Sequence, residues 1–183
     1  MTLRARRSVL YLPGSNARAI VKARGLPADA IILDLEDSVA PEAKALAREQ
    51  VVAAVREGGF GARQVAIRIN SAQTPWGDDD LAAAIAARPD AILLPKVDSA
   101  GLVMQAARAL REAGAPETVR LWAMMETPLA ILHAESIAAT AADPSARLDD
   151  GLDGALRRRR ARAWLRHHRW RLQRSQQSRR LQE

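Results

Sequence analysis

Five short apolar runs, at residues 8–12, 30–35, 64–69, 91–95 and 119–124, constrain this chain more than any other feature. Each is five or six residues of mostly Val, Ile, Leu and Ala, bounded by charges or turn residues. Runs of that length and composition predict strands buried on both faces. The alanine-rich segments between them carry helix punctuation. Asn16 suits the cap of a helix ending near Gly25, and Ser38 or Pro41 opens one that Gly58 and Gly59 close. Asp78, Asp79 and Asp80 favour the positive end of a helix running to Arg88. Ser99 to Ala113 stops at Gly114, and Thr127 places a cap before Pro128. Strand and helix alternate five times, which predicts a parallel sheet with right-handed crossovers.

An open doubly wound sheet and a (β/α)8 barrel both satisfy that order. The turn after the first strand, Pro13-Gly14-Ser15-Asn16, is too short for a dinucleotide fingerprint or a Walker loop, which favours the barrel. A whole barrel takes about 250 residues. Five units end here near residue 142 of 183, so the expected fold is α/β, the first five βα units of a TIM barrel.

The chain has no cysteine and three histidines, which excludes thiolate chemistry and zinc sites of the cysteine type. The start carries no signal-peptide core and no stretch is long and apolar enough to span a membrane, giving a cytoplasmic expectation. The net charge of +7 would invite a nucleic-acid reading if it were spread over the domain. It is not: residues 154–183 hold 11 arginines and one acid, whereas residues 1–153 hold 17 basic and 20 acidic residues. A partial-barrel domain at 1–148 and a basic tail at 149–183, irregular or helical, are therefore expected.

The residues just past each strand suggest chemistry. The second run ends in Asp34-Leu35-Glu36-Asp37, the third in Arg68-Ile69-Asn70, the fourth in Pro95-Lys96 and the fifth in Glu126-Thr127-Pro128. In a parallel sheet all these carboxyl ends share one face, where barrel enzymes build their sites. Any one charge past a strand is more often a solvated loop residue, and Asp37 could cap the next helix. Four such ends together favour a site. Carboxylates without cysteine suit magnesium, and a neighbouring arginine can clamp a carboxylate or carbonyl of a substrate. The pair suits cleavage beside a carbonyl through an enolate. Lys96 as a Schiff-base lysine is the second enzyme reading. His133 reads as a partly buried structural histidine, and Trp76 as a loop residue that covers a ligand or simply packs.

The motifs Arg7-Ser8-Val9-Leu10-Tyr11-Leu12-Pro13-Gly14, Leu33-Asp34-Leu35-Glu36-Asp37-Ser38-Val39, Ile67-Arg68-Ile69-Asn70, Leu94-Pro95-Lys96-Val97 and Met125-Glu126-Thr127-Pro128, in this order, resemble the HpcH/HpaI aldolase/citrate lyase family. This family takes in citrate lyase β-subunits and malyl-CoA and citramalyl-CoA lyases. The resemblance implies a magnesium-dependent barrel that cleaves or forms a hydroxyacyl-CoA thioester through an acyl-CoA enolate. It implies Arg68 as the substrate-binding arginine and Glu126 as a magnesium ligand. Glu36 and Asp37 are implied as the acidic pair supporting the metal's waters, with Asp37 also a catalytic candidate. Pro13 and Gly14 are implied near the CoA portion and Lys96 as polar support for the substrate. The partners so implied are an acyl-CoA or acyl-carrier thioester and other copies of the chain, since family members commonly form trimers.

The resemblance departs near residue 148. The family's next strand ends in an aspartate that is its second magnesium ligand. Here Asp149-Asp150-Gly151-Leu152-Asp153-Gly154 and an arginine run come instead. After Ile137 there is no Val, Ile, Met, Phe or Tyr from which to build a buried strand. Residues 1–148 hold 35 alanines and the tail is rich in arginine, whose codons a one-base slip produces from alanine codons. A reading-frame shift near 148, and an inactive chain, are the expectation. The other reading is an arm binding polyanions, nucleic acid or anionic membrane, through Arg157–Arg160 and the neighbouring tryptophans, with specific nucleic-acid binding disfavoured.

Overall fold

A computed structural model of the protein describes residues 6–149. Five parallel strands, β1 (Val9–Pro13), β2 (Ala30–Asp34), β3 (Gln64–Arg68), β4 (Ala91–Leu94) and β5 (Arg120–Ala123), form one sheet in the order β1-β2-β3-β4-β5. A doubly wound sheet reverses its strand order at a switch point, whereas strictly sequential parallel pairing is how a barrel is laid down. Helices α1 (Ala17–Ala23), α2 (Lys44–Glu57), α3 (Gly77–Ala87) and α4 (Ala100–Glu112) fill the first four gaps. Two short helices come after β5: α5 (Pro128–Leu132) and α6 (Ala134–Ala139). Among the described residues no helix is long and apolar enough to cross a membrane.

Alternation along each strand sorts the side chains onto two faces. Ile31, Leu33, Ile67, Ile92 and Leu121 go outward, fully buried, against Val51 of α2 and Val103 and Leu110 of α4. Ile32, Ala66, Ala91 and Leu93 form a smaller cluster on the inner face, with Trp122 and Met124 packed on it. The pairing register sets Pro13 beside Asp34 and Asp34 beside Arg68, so the polar strand ends adjoin one another.

Several local expectations change. Asn16 and Thr127 do cap α1 and α5, accepting from the Ala19 and Ala130 amides. Ser99 makes no helix-capping bond, and of the two candidates for opening α2, Ser38 turns back to Asp34 while Pro41 begins it through a 3₁₀ turn, Pro41–Ala43. The segment after β5 breaks at His133, which is exposed, its Nδ1 2.7 Å from the Asp98 carbonyl, not partly buried as expected. The free edge of β5 is also partly taken. Leu121 donates to the Arg147 carbonyl and accepts from the Asp149 amide, a parallel bridge that places Leu148 beside Leu121. The expected basic tail, with the arginine run, lies outside the described residues.

Candidate active site

At the carboxyl ends of β2 and β3, neighbouring register positions put a carboxylate and a guanidinium on the inner face. Arg68 Nε and Nη2 each donate to one oxygen of Asp34 at 2.6 Å, a two-point bridge that fits the flat fork to the carboxylate. Asp34 is 1% and Arg68 7% exposed. Burial alone would raise the Asp34 carboxyl. Its hydrogen bonds from Arg68, Ser38 and the Glu36 amide outweigh that and hold it below the usual range. Arg68 is raised, chiefly by the bond to Asp34. The Arg68 side edge is thus committed to Asp34, and Nη1 faces the rest of the cluster.

Glu36 stands 3.1 Å from Nη1 through Oε2, without the alignment of a hydrogen bond, and its Oε1 accepts from Lys96 Nζ at 2.7 Å. Lys96, past the end of β4, lies at φ 49°. That left-handed backbone costs a residue with a Cβ about 1–2 kcal/mol. In this conformation the Lys96 amide donates to Glu126 Oε1 at 2.9 Å, tying the end of β4 to the loop after β5. Its bond to Glu36 holds the Lys96 ammonium above its ordinary value. Asp37 is the open member: its side chain is 63% exposed, 3.7 Å from Arg68 and 3.8 Å from Lys96. It caps no helix.

The structure therefore brings Arg68, Glu36, Asp37, Lys96 and Glu126 into one continuous set of contacts. Pro13 ends β1 next to Asp34, and the Gly14 amide donates to the Asp34 carbonyl at 2.7 Å. A Cβ on Gly14 would lie 2.8 Å from that oxygen and 2.7 Å from Val51, so glycine is required here for the close approach of the turn after β1 to the end of β2 and to α2.

Further residues complete the surroundings. Tyr11, on β1, lays its ring 5.3 Å from the Arg68 guanidinium; burial and then the neighbouring acids raise its hydroxyl. Behind the cluster, Lys44 Nζ donates to the carbonyls of Leu35 and Glu36 and to Asn70 Oδ1. Asn70 donates through Nδ2 and its amide to Asp80, which is fully buried and takes a further bond from Arg48. Trp76 packs its ring 5.2 Å from Lys44 Nζ. Helical spacing is the signal that finds two of these. Lys44 shares the buried stripe of Ala47, Val51 and Ala54, and Asp80 that of Gly77, Ala84 and Ala87.

Glu126 is an exposed carboxylate at the mouth of this cluster, and Glu36 Oε2 is a buried oxygen with no hydrogen bond. Among the described residues no three acids or histidines converge as a full metal cage. That donor set fits a hard cation held by one or two carboxylates that otherwise keeps waters and takes substrate oxygens.

A family model, HpcH/HpaI aldolase/citrate lyase, matches residues 7–155. The chain is 47% identical over 133 residues to a (3S)-malyl-CoA thioesterase of Cereibacter sphaeroides, covering 73% of this chain and 45% of that protein. It is 36% identical over 143 residues to citrate lyase subunit beta of Escherichia coli, covering 74% and 46%. Among solved structures, the citrate lyase beta subunit of M. tuberculosis complexed with oxaloacetate and magnesium aligns with a TM-score of 0.58 at 32% identity, over 79% of this chain and 57% of that one. The chain thus spans about half the length of the relatives it matches. With a sequential parallel sheet, charged strand ends on one face and a family match over most of its length, this chain belongs to the HpcH/HpaI aldolase/citrate lyase family.

Proposed function

We propose that this chain carries the Arg68–Glu126 portion of a magnesium-dependent site acting on a hydroxyacyl-CoA thioester of the malyl, citramalyl or citryl type. The observation that supports it is the bridge from Asp34 to Arg68, which fixes the guanidinium at the strand ends. Nη1 is left turned toward Glu36 and the cluster that reaches Glu126. A relative named for malyl-CoA and a family structure with oxaloacetate and magnesium supply the substrate class and the ion.

Glu126 would hold the metal, with Glu36 and Asp37 orienting its waters. When bound, magnesium supplies positive charge against the carbonyl oxygen beside the bond that breaks. Arg68 Nη1 orients a carboxylate or carbonyl of the substrate, and its position, set by Asp34, needs no rearrangement as charge develops. Asp37, its side chain 63% exposed, takes the hydroxyl proton. As that proton leaves, the hydroxyl carbon becomes the carbonyl of the oxo-acid, and the electron pair of the broken carbon–carbon bond passes to the acyl-CoA as an enolate. Protonation of that enolate gives the acyl-CoA product. Lys96 balances Glu36, and the Pro13–Gly14 turn lies where the CoA portion would approach.

The test is incubation of the 183-residue chain with malyl-CoA and Mg2+, measuring glyoxylate and acetyl-CoA for cleavage, and malate and free CoA for hydrolysis. Cleavage that disappears with chelator and in Glu126→Gln supports the proposal. Hydrolysis alone replaces the lyase reading with a thioesterase one. Full activity in Glu126→Gln overturns the assignment, and so does the absence of product both from the unaltered chain, which spans about half the length of its relatives, and from one extended by a family-like C-terminal half.

A further inference from the structure

We infer that Lys44 is a positioning residue for this site: its buried ammonium grips the main chain on both sides of the Glu36 Cα and ties it to the loop beyond Arg68. The inference rests on the proposed magnesium-dependent site. Nζ donates at 2.7 Å to the Leu35 carbonyl, at 2.7 Å to the Glu36 carbonyl and at 2.8 Å to Asn70 Oδ1, which uses all three of its protons. Asn70 lies two residues beyond Arg68 and itself donates to the Leu35 carbonyl at 2.7 Å. The exits of β2 and β3, which carry Glu36 and Arg68, are therefore fastened to each other through one lysine and one amide.

The same turn is held from its other side by opposite chemistry. Asp34, on the inner face, accepts from the amides of Glu36 at 2.8 Å and Ser38 at 3.1 Å. A carboxylate gathers the turn's donors while an ammonium gathers its acceptors. Between them the Glu36 carboxylate is left with Oε1 on Lys96 and Oε2 beside Arg68.

Stability alone is a poor reason for a lysine here. Its three acceptors are neutral, so the buried cation is offset by no direct ion pair among the described residues. It also occupies the first position of α2, where a positive charge opposes the helix dipole. Burial accordingly lowers its pKa. What these costs secure is the location of one carboxylate relative to one guanidinium, as supporting bonds do around a metal or catalytic site.

The experiment compares Lys44→Met, which keeps volume and removes the donors, with Leu110→Ala, a fully buried truncation in α4. Two readouts are taken well below both unfolding midpoints: exchange of the Glu36 and Ser38 amides, and binding of oxaloacetate in the presence of Mg2+. Lys44→Met is expected to speed exchange at those two amides about tenfold more than Leu110→Ala does. It is also expected to weaken oxaloacetate binding about tenfold or more. Leu110→Ala is expected to bind as the unaltered chain does. Equal exchange and binding in the two variants overturns the inference and leaves Lys44 a residue of general stability. If Lys44→Met does not fold, Lys44→Gln takes its place: its shorter, uncharged amide can make at most two of the three bonds, and the same changes in exchange and binding, smaller in size, are expected. If the unaltered chain does not bind oxaloacetate, the proposed site fails, and the exchange comparison by itself decides whether Lys44 holds the Glu36 turn.

Discussion

The two faces of the sheet are built from alternate residues of the same five strands and differ in almost everything else. The outer face presents Ile31, Leu33, Ile67, Ile92 and Leu121 to the helices, all buried to less than 2% exposure. The apolar cluster of the inner face has four buried residues, two of them alanine, and Val9 and Tyr11 are each 43% exposed. Toward the carboxyl ends that face turns polar, with Asp34 and Arg68 at adjacent register positions. Apolar burial is therefore concentrated on one side of the sheet and chemistry on the other.

That contrast can be broken by truncation on each face. Leu121→Ala removes a fully buried outer side chain and should cost about 4 kcal/mol, within the range for leucine truncations in packed cores. Val9→Ala on the inner face should cost no more than about 0.5–1 kcal/mol, as for partly exposed positions. Urea unfolding of both variants measures the difference, and equal costs would show that the inner face is packed as tightly as the outer.

Asp34 sharpens the contrast because it is the inner-face residue that bears on stability. Asp34→Asn keeps the shape, removes the anion and leaves a buried guanidinium short of its two-point partner, at an expected cost of about 3 kcal/mol. Its native carboxyl lies below the ordinary value, so its contribution is complete above about pH 4 and is lost as pH falls through the lowered native value. Unfolding measured from about pH 6 to about pH 2 should fall less steeply at the acid end for Asp34→Asn than for the unaltered chain. Parallel acid limbs would mean that the bridge contributes nothing to folding.

How much of this was legible in the sequence obeys the same division. Strands announce themselves by apolar runs that stop at a charge, so each of the five expected runs overlaps its observed strand, with ends differing by one residue or so. Arg68, the last residue of β3, and the charges just past β4 and β5, Lys96 and Glu126, were legible because strand direction in a parallel sheet gathers them on one face. Asp34 was harder, since it closes an apolar run and pairs across to another strand. Lys44 and Asp80 were hidden among surface-type residues: one reads as a helix lysine, the other as a third acid favouring the α3 dipole. Only the spacing of their buried stripes distinguishes them from exposed neighbours such as Asp78 and Asp79. The pairing on the edge of β5 was not legible because Leu148 pairs through its main chain, which requires no β-branched side chain.

The smallest expected change in stability tests whether function strains the inner rim. Lys96 adopts a backbone suited to glycine, and that backbone aims its amide at Glu126 while its ammonium reaches Glu36. Lys96→Gly relieves the left-handed strain but loses chain stiffness and the ion pair. Half of the Lys96 side chain is exposed, so that pair is largely screened, and the net change should stay within about 1 kcal/mol in either direction. Binding should respond quite differently. Glu36 loses its ammonium partner and swings toward Arg68 Nη1, the group proposed to orient the substrate, so oxaloacetate binding in the presence of Mg2+ should weaken about tenfold. Unfolding midpoint and binding constant measured on one preparation settle it. A large stability loss would place Lys96 with the outer core as a folding residue, and unchanged binding would remove it from the site.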